Sequence, residues 1–230
     1  MIKTRQLFDQ GTCTYTYLIF DDESKEAVII DPVLENFTRD TTLIKKLGLT
    51  LVGVLETHVH ADHITAANKI RHYMNVKIYF GSKSGVKGAD VLLDDGDQIN
   101  LGKENITAIH TPGHTKGSIT YYIDNKLFTG DTLFIGGTGR TDFQGGSAKD
   151  TYSSCKNKLF TYSDETLVYP AHNYEGLTVS TIGEERQWNP NVGDVIKEEE
   201  FIESEKRKER SYPRKFDIAV PANMSCGPKD

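Results

Sequence analysis

The sequence predicts an α+β fold in which two sheets pack on each other with helices outside. Three observations carry that prediction. Strand signals recur along the chain, helical stretches interrupt them in each half, and hairpin turns call for antiparallel pairs that a purely parallel sheet lacks. "TYTYLIF" (14–20) is β-branched and aromatic, and "EAVIID" (26–31) is a short apolar run stopped by Pro32. "RDTTLIKKLG" reads as a helix closed by Gly48, "LTLVGVLET" (49–57) as a strand, and "ADHITAANKIRHYM" (61–74) as a helix. "VKIYF" is another strand. "LLDDGDQINLG" reads as strand–turn–strand around Asp95-Gly96, and "NITAIHTPGH" as a strand ending at a turn. "SITYYIDNKLFTGD" is a hairpin about Asp124-Asn125, "SAKDTYSSCKNKLF" a helix, and "TLVYPAHN" a short strand running into a loop. The mixed-charge run "VIKEEEFIESEKRKER" (195–210) reads as a solvated helix with a modest apolar side.

With 230 residues, no internal repeat and no low-complexity linker, the chain reads as one domain, 1–230, with a short helical C-terminal extension from about 195. A hydrophobic fraction of 37% and a charged fraction of 26% describe a folded, soluble protein. The net charge of -6 and the lack of a basic block argue against nucleic acid as a partner. No apolar run approaches the roughly 18 residues a membrane span needs. The first residues show neither a signal-peptide core nor a transit pattern. Three widely spaced cysteines, Cys13, Cys155 and Cys226, argue against a disulfide scaffold and for a reducing compartment, the cytoplasm or, in a eukaryote, the mitochondrial matrix.

Polar residues gather where the strands end. "IID" ends in Asp31, and "LETHVHADH" supplies His58, His60, Asp62 and His63. "TPGH" supplies His114, "FTGD" Asp131, and "YPAH" His172. Side chains two apart on a strand share a face, so H-x-H offers two imidazoles to one point. Neutral imidazole is a common ligand for zinc, iron and copper. Isolated histidines such as His72 and His110 need no such explanation.

"THVHADH", "TPGHTKGS", "FTGDTLF" and "YPAHN" resemble, in order, the metal motifs of the metallo-β-lactamase superfamily, which implies an αββα sandwich with metal at one edge. "IIDPVLENFTRD", "TGDTLFIGGTGRTDFQGGSA", "GLTVSTIGEER" and "FDIAVPANMSCG" further resemble the persulfide dioxygenase family, from about Leu7 to Gly227, with "GRTDFQ" and "VPANM" the discriminating pieces. Thr138 stands where some members carry cysteine. The resemblance implies one iron(II) per chain, held by His58, His114 and Asp131, with His60, Asp62, His63 and His172 around it. Two histidines and one carboxylate leave positions open for substrate and dioxygen together. The implied reaction converts glutathione persulfide, dioxygen and water to sulfite and glutathione. The implied company is a homodimer, with rhodanese or sulfide:quinone oxidoreductase as pathway neighbours.

By themselves the residues supply ligands for two metals, and only the resemblance selects one iron. The alternative is a thioester hydrolase of the glyoxalase II kind, hydroxyacylglutathione hydrolase. Relatives of that kind usually carry a longer helical C-terminal domain, whereas about 45 residues follow "STIGEER" here. Asp31 is expected to orient a metal-site histidine by accepting its second N–H. Arg140, in the glycine-rich "GTGRTDF", is a candidate for gripping a glutathione carboxylate, or else pairs with Asp142. Tyr174, next to "PAHN", is a candidate substrate contact or rim packing.

Overall fold

A computed structural model describes residues 1–229. Twelve strands form two six-stranded sheets. The first contains β1 (Ile2–Asp9), β2 (Thr14–Asp21), β3 (Glu26–Ile30), β4 (Thr50–Leu55), β5 (Lys77–Gly81) and β6 (Val91–Leu93), paired in chain order. β1 to β3 run antiparallel, and β3 to β6 run parallel. The second sheet has the order β12-β11-β10-β9-β8-β7. Its members are β7 (Gln98–Leu101), β8 (Glu104–His110), β9 (Ile119–Ile123), β10 (Lys126–Gly130), β11 (Leu167–Pro170) and β12 (Ser180–Thr181). Only β10 and β11 pair parallel in it.

The inner faces of the sheets meet in an apolar layer built on Tyr17, Ile30, Leu55, Tyr121 and Phe128. The outer face of the first sheet is covered by α1 (Phe37–Lys46) and α2 (Ala67–Met74), through Ile44 and Ile70. The second is covered by α3 (Ala148–Asn157), α4 (Ile182–Trp188) and α5 (Glu198–Arg207), through Cys155, Ile182 and Phe201. The last helix, α6 (Phe216–Asn223), returns to the first sheet, where Val220 packs. This is the predicted α+β sandwich with helices outside. Each sheet has a buried inner and a buried outer face, which is why β2 is buried at every position instead of alternating. Among the described residues, no helix is long and apolar enough to cross a membrane.

"LLDDGDQINLG" forms strand–turn–strand as read, with β6 in the first sheet and β7 in the second, so the Asp95-Gly96 turn carries the chain from one sheet to the other. Two local expectations need correction. The helix expected from residue 61 begins at Ala67. The H-x-H pair sits past the end of its strand, because β4 stops at Leu55 and a loop carries 58–66. Tertiary bonds hold that loop in place of helical ones: Leu34 N–H donates to Ile64 O and Ala66 N–H to Pro32 O. By contrast, the hairpin at Asp124-Asn125 forms as read, with φ of 50° and 57° as a tight two-residue turn requires. Strands β1 and β12 and helix α4 went unread, since β1 carries Lys3, Arg5 and Gln6 and β12 has two residues.

Candidate metal centre

The centre forms where β3, β4, β8, β10 and β11 run out. His58, His114 and Asp131 each bring one ligand atom within 4.8 Å of the other two. The His58 and His114 rings stand at 89° with centroids 4.8 Å apart, and His114 Nε2 lies 3.5 Å from Asp131 Oδ2. Two glycines allow this approach. A Cβ on Gly130 would meet Thr57 Oγ1 at 2.6 Å, where β10 ends beside β4. One on Gly139 would meet the Asp131 carbonyl at 2.3 Å. The glycine of "TGD" and the second of "GTGR" are therefore required by contact.

Each histidine of this cluster has its other ring nitrogen fixed. His58 Nδ1 lies 2.9 Å from Thr57 Oγ1, and that hydroxyl donates to Asp31 Oδ2 at 2.7 Å. With its proton committed to Asp31, the hydroxyl accepts from His58 Nδ1–H, which leaves Nε2 as a lone-pair donor. His114 Nδ1–H donates to the Arg140 carbonyl at 2.7 Å, again leaving Nε2 free. Burial, aided by His60 and His114, holds His58 well below the usual histidine range, so its imidazole is neutral.

Beside the cluster lies a second set. His60, Asp62 and His63 also bring ligand atoms within 4.8 Å of one another. His60 Nε2 sits 3.1 Å from Asp31 Oδ1 and 3.4 Å from Glu56 Oε2, close enough for ion pairs but out of line for hydrogen bonds. His63 Nδ1 contacts Asp62 Oδ2 at 3.1 Å. His172 Nδ1–H donates to the Cys13 carbonyl, and its Nε2 lies 3.7 Å from both Asp62 Oδ2 and Asp131 Oδ1. Burial lowers the basicity of His172, yet the two carboxylates outweigh it and raise its pKa. Burial pushes Glu56 up to about 7.

Whether these residues suit a metal can be read from their unmet bonds. Asp131 Oδ1, His63 Nε2 and both His60 nitrogens are buried without a hydrogen-bond partner. Buried polar atoms are seldom left so, and an unpartnered carboxylate oxygen gathered with unpartnered imidazole nitrogens fits a cation.

A cavity of about 320 Å³ opens over the cluster and touches His58, His114 and Asp131, together with Asp62 and His172. His60 and His63 do not line it. Phe134, Thr138, Arg140, Tyr174, Arg210 and Pro213 form most of the remaining wall. Every candidate taken from the sequence is therefore at or beside one site, while His72 and His110 bond to the Asn68 and Lys116 carbonyls away from it. Asp31 reaches His58 through Thr57, a relay the sequence reading lacked. Arg140 meets the centre through its carbonyl, and its guanidinium forms a two-armed pair with Asp142, both at 2.7 Å. Tyr174 lies parallel to the His172 ring at 6.0 Å.

Asn223 was missed as well. Its Nδ2 donates to the His60 and His63 carbonyls at 2.9 and 2.8 Å, and its Oδ1 accepts Thr65 N–H at 2.9 Å. The signal was present: Asn223 is the buried amide of "VPANM". This side chain is a second reason that 60–65 cannot be helix.

Comparison with known proteins places the chain in a family. Residues 12–172 match the model of the metallo-beta-lactamase superfamily. Persulfide dioxygenase ETHE1 of Mus musculus is 47% identical over 226 residues, which is 97% of this chain and 88% of the mouse protein. The crystal structure of ETHE1 from Myxococcus xanthus superposes with a TM-score of 0.95 at 45% identity, covering 98% of this chain and 100% of that one. The cytoplasmic hydroxyacylglutathione hydrolase of Arabidopsis thaliana is more distant, 37% identical over 79% of this chain and 70% of its own.

Proposed function

The chain belongs to the persulfide dioxygenases of the metallo-beta-lactamase superfamily, and we propose that it works as an iron(II) enzyme oxidising glutathione persulfide to sulfite. It is an oxidoreductase, a sulfur dioxygenase. The balanced change is persulfide plus dioxygen plus water to the thiol and sulfurous acid, which ionises to sulfite. The single observation that carries the residue assignment is that His58, His114 and Asp131 converge on the cavity floor with their ligand atoms free. We assign these three as the metal ligands, one iron per chain. Such a face of two histidines and one carboxylate supplies, when iron(II) is bound, open positions for a soft sulfur anion and dioxygen together and a one-electron couple between them.

The protein's own share is orientation and exclusion. Thr57 and the Arg140 carbonyl fix the two histidine tautomers. Phe134 and the Tyr174 ring narrow the cavity around the terminal sulfur. His172, its Nδ1 held by the Cys13 carbonyl, turns Nε2 toward Asp62 and Asp131 at the cavity wall. Three free cysteines support a reducing compartment, cytoplasm or mitochondrial matrix. Persulfide would be supplied by a sulfur-transfer or sulfide-oxidising reaction of the rhodanese or sulfide:quinone oxidoreductase kind.

The test is oxygen uptake in a sealed cell. Anaerobically purified, iron-loaded protein receives fresh glutathione persulfide, sulfite is assayed alongside, and His58→Ala is the control. The expected result is metal-dependent oxygen loss matched by sulfite. Hydrolysis of S-lactoylglutathione without oxygen loss would replace this reading with the thioester hydrolase.

A further inference from the structure

The cavity wall carries two guanidinium groups, and they differ in what they have left to offer. Arg140 donates from Nε and Nη2 to Asp142 and from Nη1 to the Ser211 carbonyl at 3.0 Å, with its plane over Phe143 at 4.5 Å. All three of its nitrogens are engaged. Arg210 belongs to the segment between α5 and α6, far in sequence from every metal motif, yet it lines the same cavity. Only its Nη2 is engaged, with Glu205 Oε1 and Oε2 at 2.9 and 3.0 Å. Among the described residues, Nε and Nη1 have no protein acceptor.

The charges differ too. Asp142 answers Arg140 one for one. Glu205 is shared between Arg210 and Lys208 and also accepts from Thr141, so it answers Arg210 less fully than Asp142 answers Arg140. The segment is not loose: Tyr212, Phe143 and Phe216 form a closed aromatic triangle with centroids 5.4–5.5 Å apart. A persulfide with its sulfur at the ligand cluster must run its carrier outward past this wall.

We propose that Arg210, and not Arg140, binds a carboxylate of the glutathione carrier. The inference rests on the persulfide reading above and names the residue that grips the carrier. It is tested by binding, not turnover. S-methylglutathione and its diethyl ester, neither of which can react, are titrated into the metal-loaded protein by calorimetry. Wild type is expected to bind the diacid roughly tenfold more tightly than the diester, the range of one charge-assisted pair. Arg210→Ala should bind both alike, and Lys208→Ala should keep the preference. Arg210→Lys leaves Glu205 paired and should retain about threefold, guarding against a folding defect in the alanine variant. A preference that persists unchanged in both Arg210 variants, or is absent from wild type, overturns the proposal. Wild type that shows the acid preference but consumes no oxygen with glutathione persulfide would instead overturn the persulfide reading.

Discussion

His58 and His60 are two residues apart in one loop, and their rings are 4.1 Å apart, yet they are held in opposite senses. His58 is anchored by Nδ1 on a hydroxyl and keeps Nε2 for the cluster facing the cavity. His60 Nε2 instead lies against the carboxylates of Asp31 and Glu56 without an aligned hydrogen bond, and the residue does not line the cavity. The same divide separates the two ligand sets. His58, His114 and Asp131 meet under an open space, whereas His60 and His63 are sealed at 0% exposure. What differs is the partner behind each ring, and that partner decides which nitrogen is free and where it points. Asp31 serves both, since its Oδ2 accepts from Thr57 and its Oδ1 faces His60. It does so from a left-handed backbone position, φ 50°, that a non-glycine residue seldom adopts.

The most direct way to break the comparison is to remove ligands from each set. His58→Ala, His114→Ala or Asp131→Ala should lose bound iron entirely and lower turnover by about a thousandfold or more. His60→Ala or His63→Ala should keep one metal per chain with affinity reduced within roughly 10–100-fold, the usual range for groups behind the ligands. Metal content by elemental analysis reads both. Equal loss from His63→Ala and His114→Ala would mean that the sealed set holds metal as well. Next in size is Asp31→Asn, which removes the carboxylate charge that faces both the Thr57 hydroxyl and His60. Metal affinity should fall by about a hundredfold, read by competition with a chelator. A change confined to a few-fold would show that the two histidines hold their tautomers without it.

The sequence made the cluster legible because ligands must be histidine or aspartate, and their spacing survives in the text of the chain. The strands around them were legible for a similar reason: β2, β3 and β10 each hold a run of apolar, aromatic or β-branched residues, and Pro32 and Gly130 mark where the last two stop. The partners behind the ligands were harder to read. A threonine that relays, a backbone carbonyl that accepts and an asparagine 160 positions away carry no pattern of their own. Arg210 was hidden by its setting, because a mixed-charge run looks like solvated surface until the fold brings one member over the cavity. The early helix start failed on the same ground. Residues 61–66 are mostly weak helix formers, and bonds to Pro32, Leu34 and Asn223 hold them in a loop instead.

Thr57 sharpens the comparison at smaller cost. Thr57→Val keeps the shape but removes the hydroxyl, leaving His58 Nδ1 buried without an acceptor. Affinity for metal should fall about tenfold. Thr57→Ser, which restores the hydroxyl, should recover most of it. If valine and serine behave alike, the relay to Asp31 does not set the His58 tautomer.

Asn223→Ala should have the least effect on the metal and a larger one on the fold, and the split is informative. Its amide holds backbone carbonyls and an N–H of the 60–65 loop, not the ligand side chains, whose own partners remain. Three buried hydrogen bonds are lost, so stability should drop by about 3 kcal/mol, a fall of roughly 9 °C in the thermal midpoint. Metal affinity should change within about fivefold, as for a residue that touches no ligand atom. Should affinity fall as far as in Asp31→Asn, the loop's backbone would be setting the ligand geometry, and the distinction drawn between the two histidines would belong to the loop and not to the partners behind their rings.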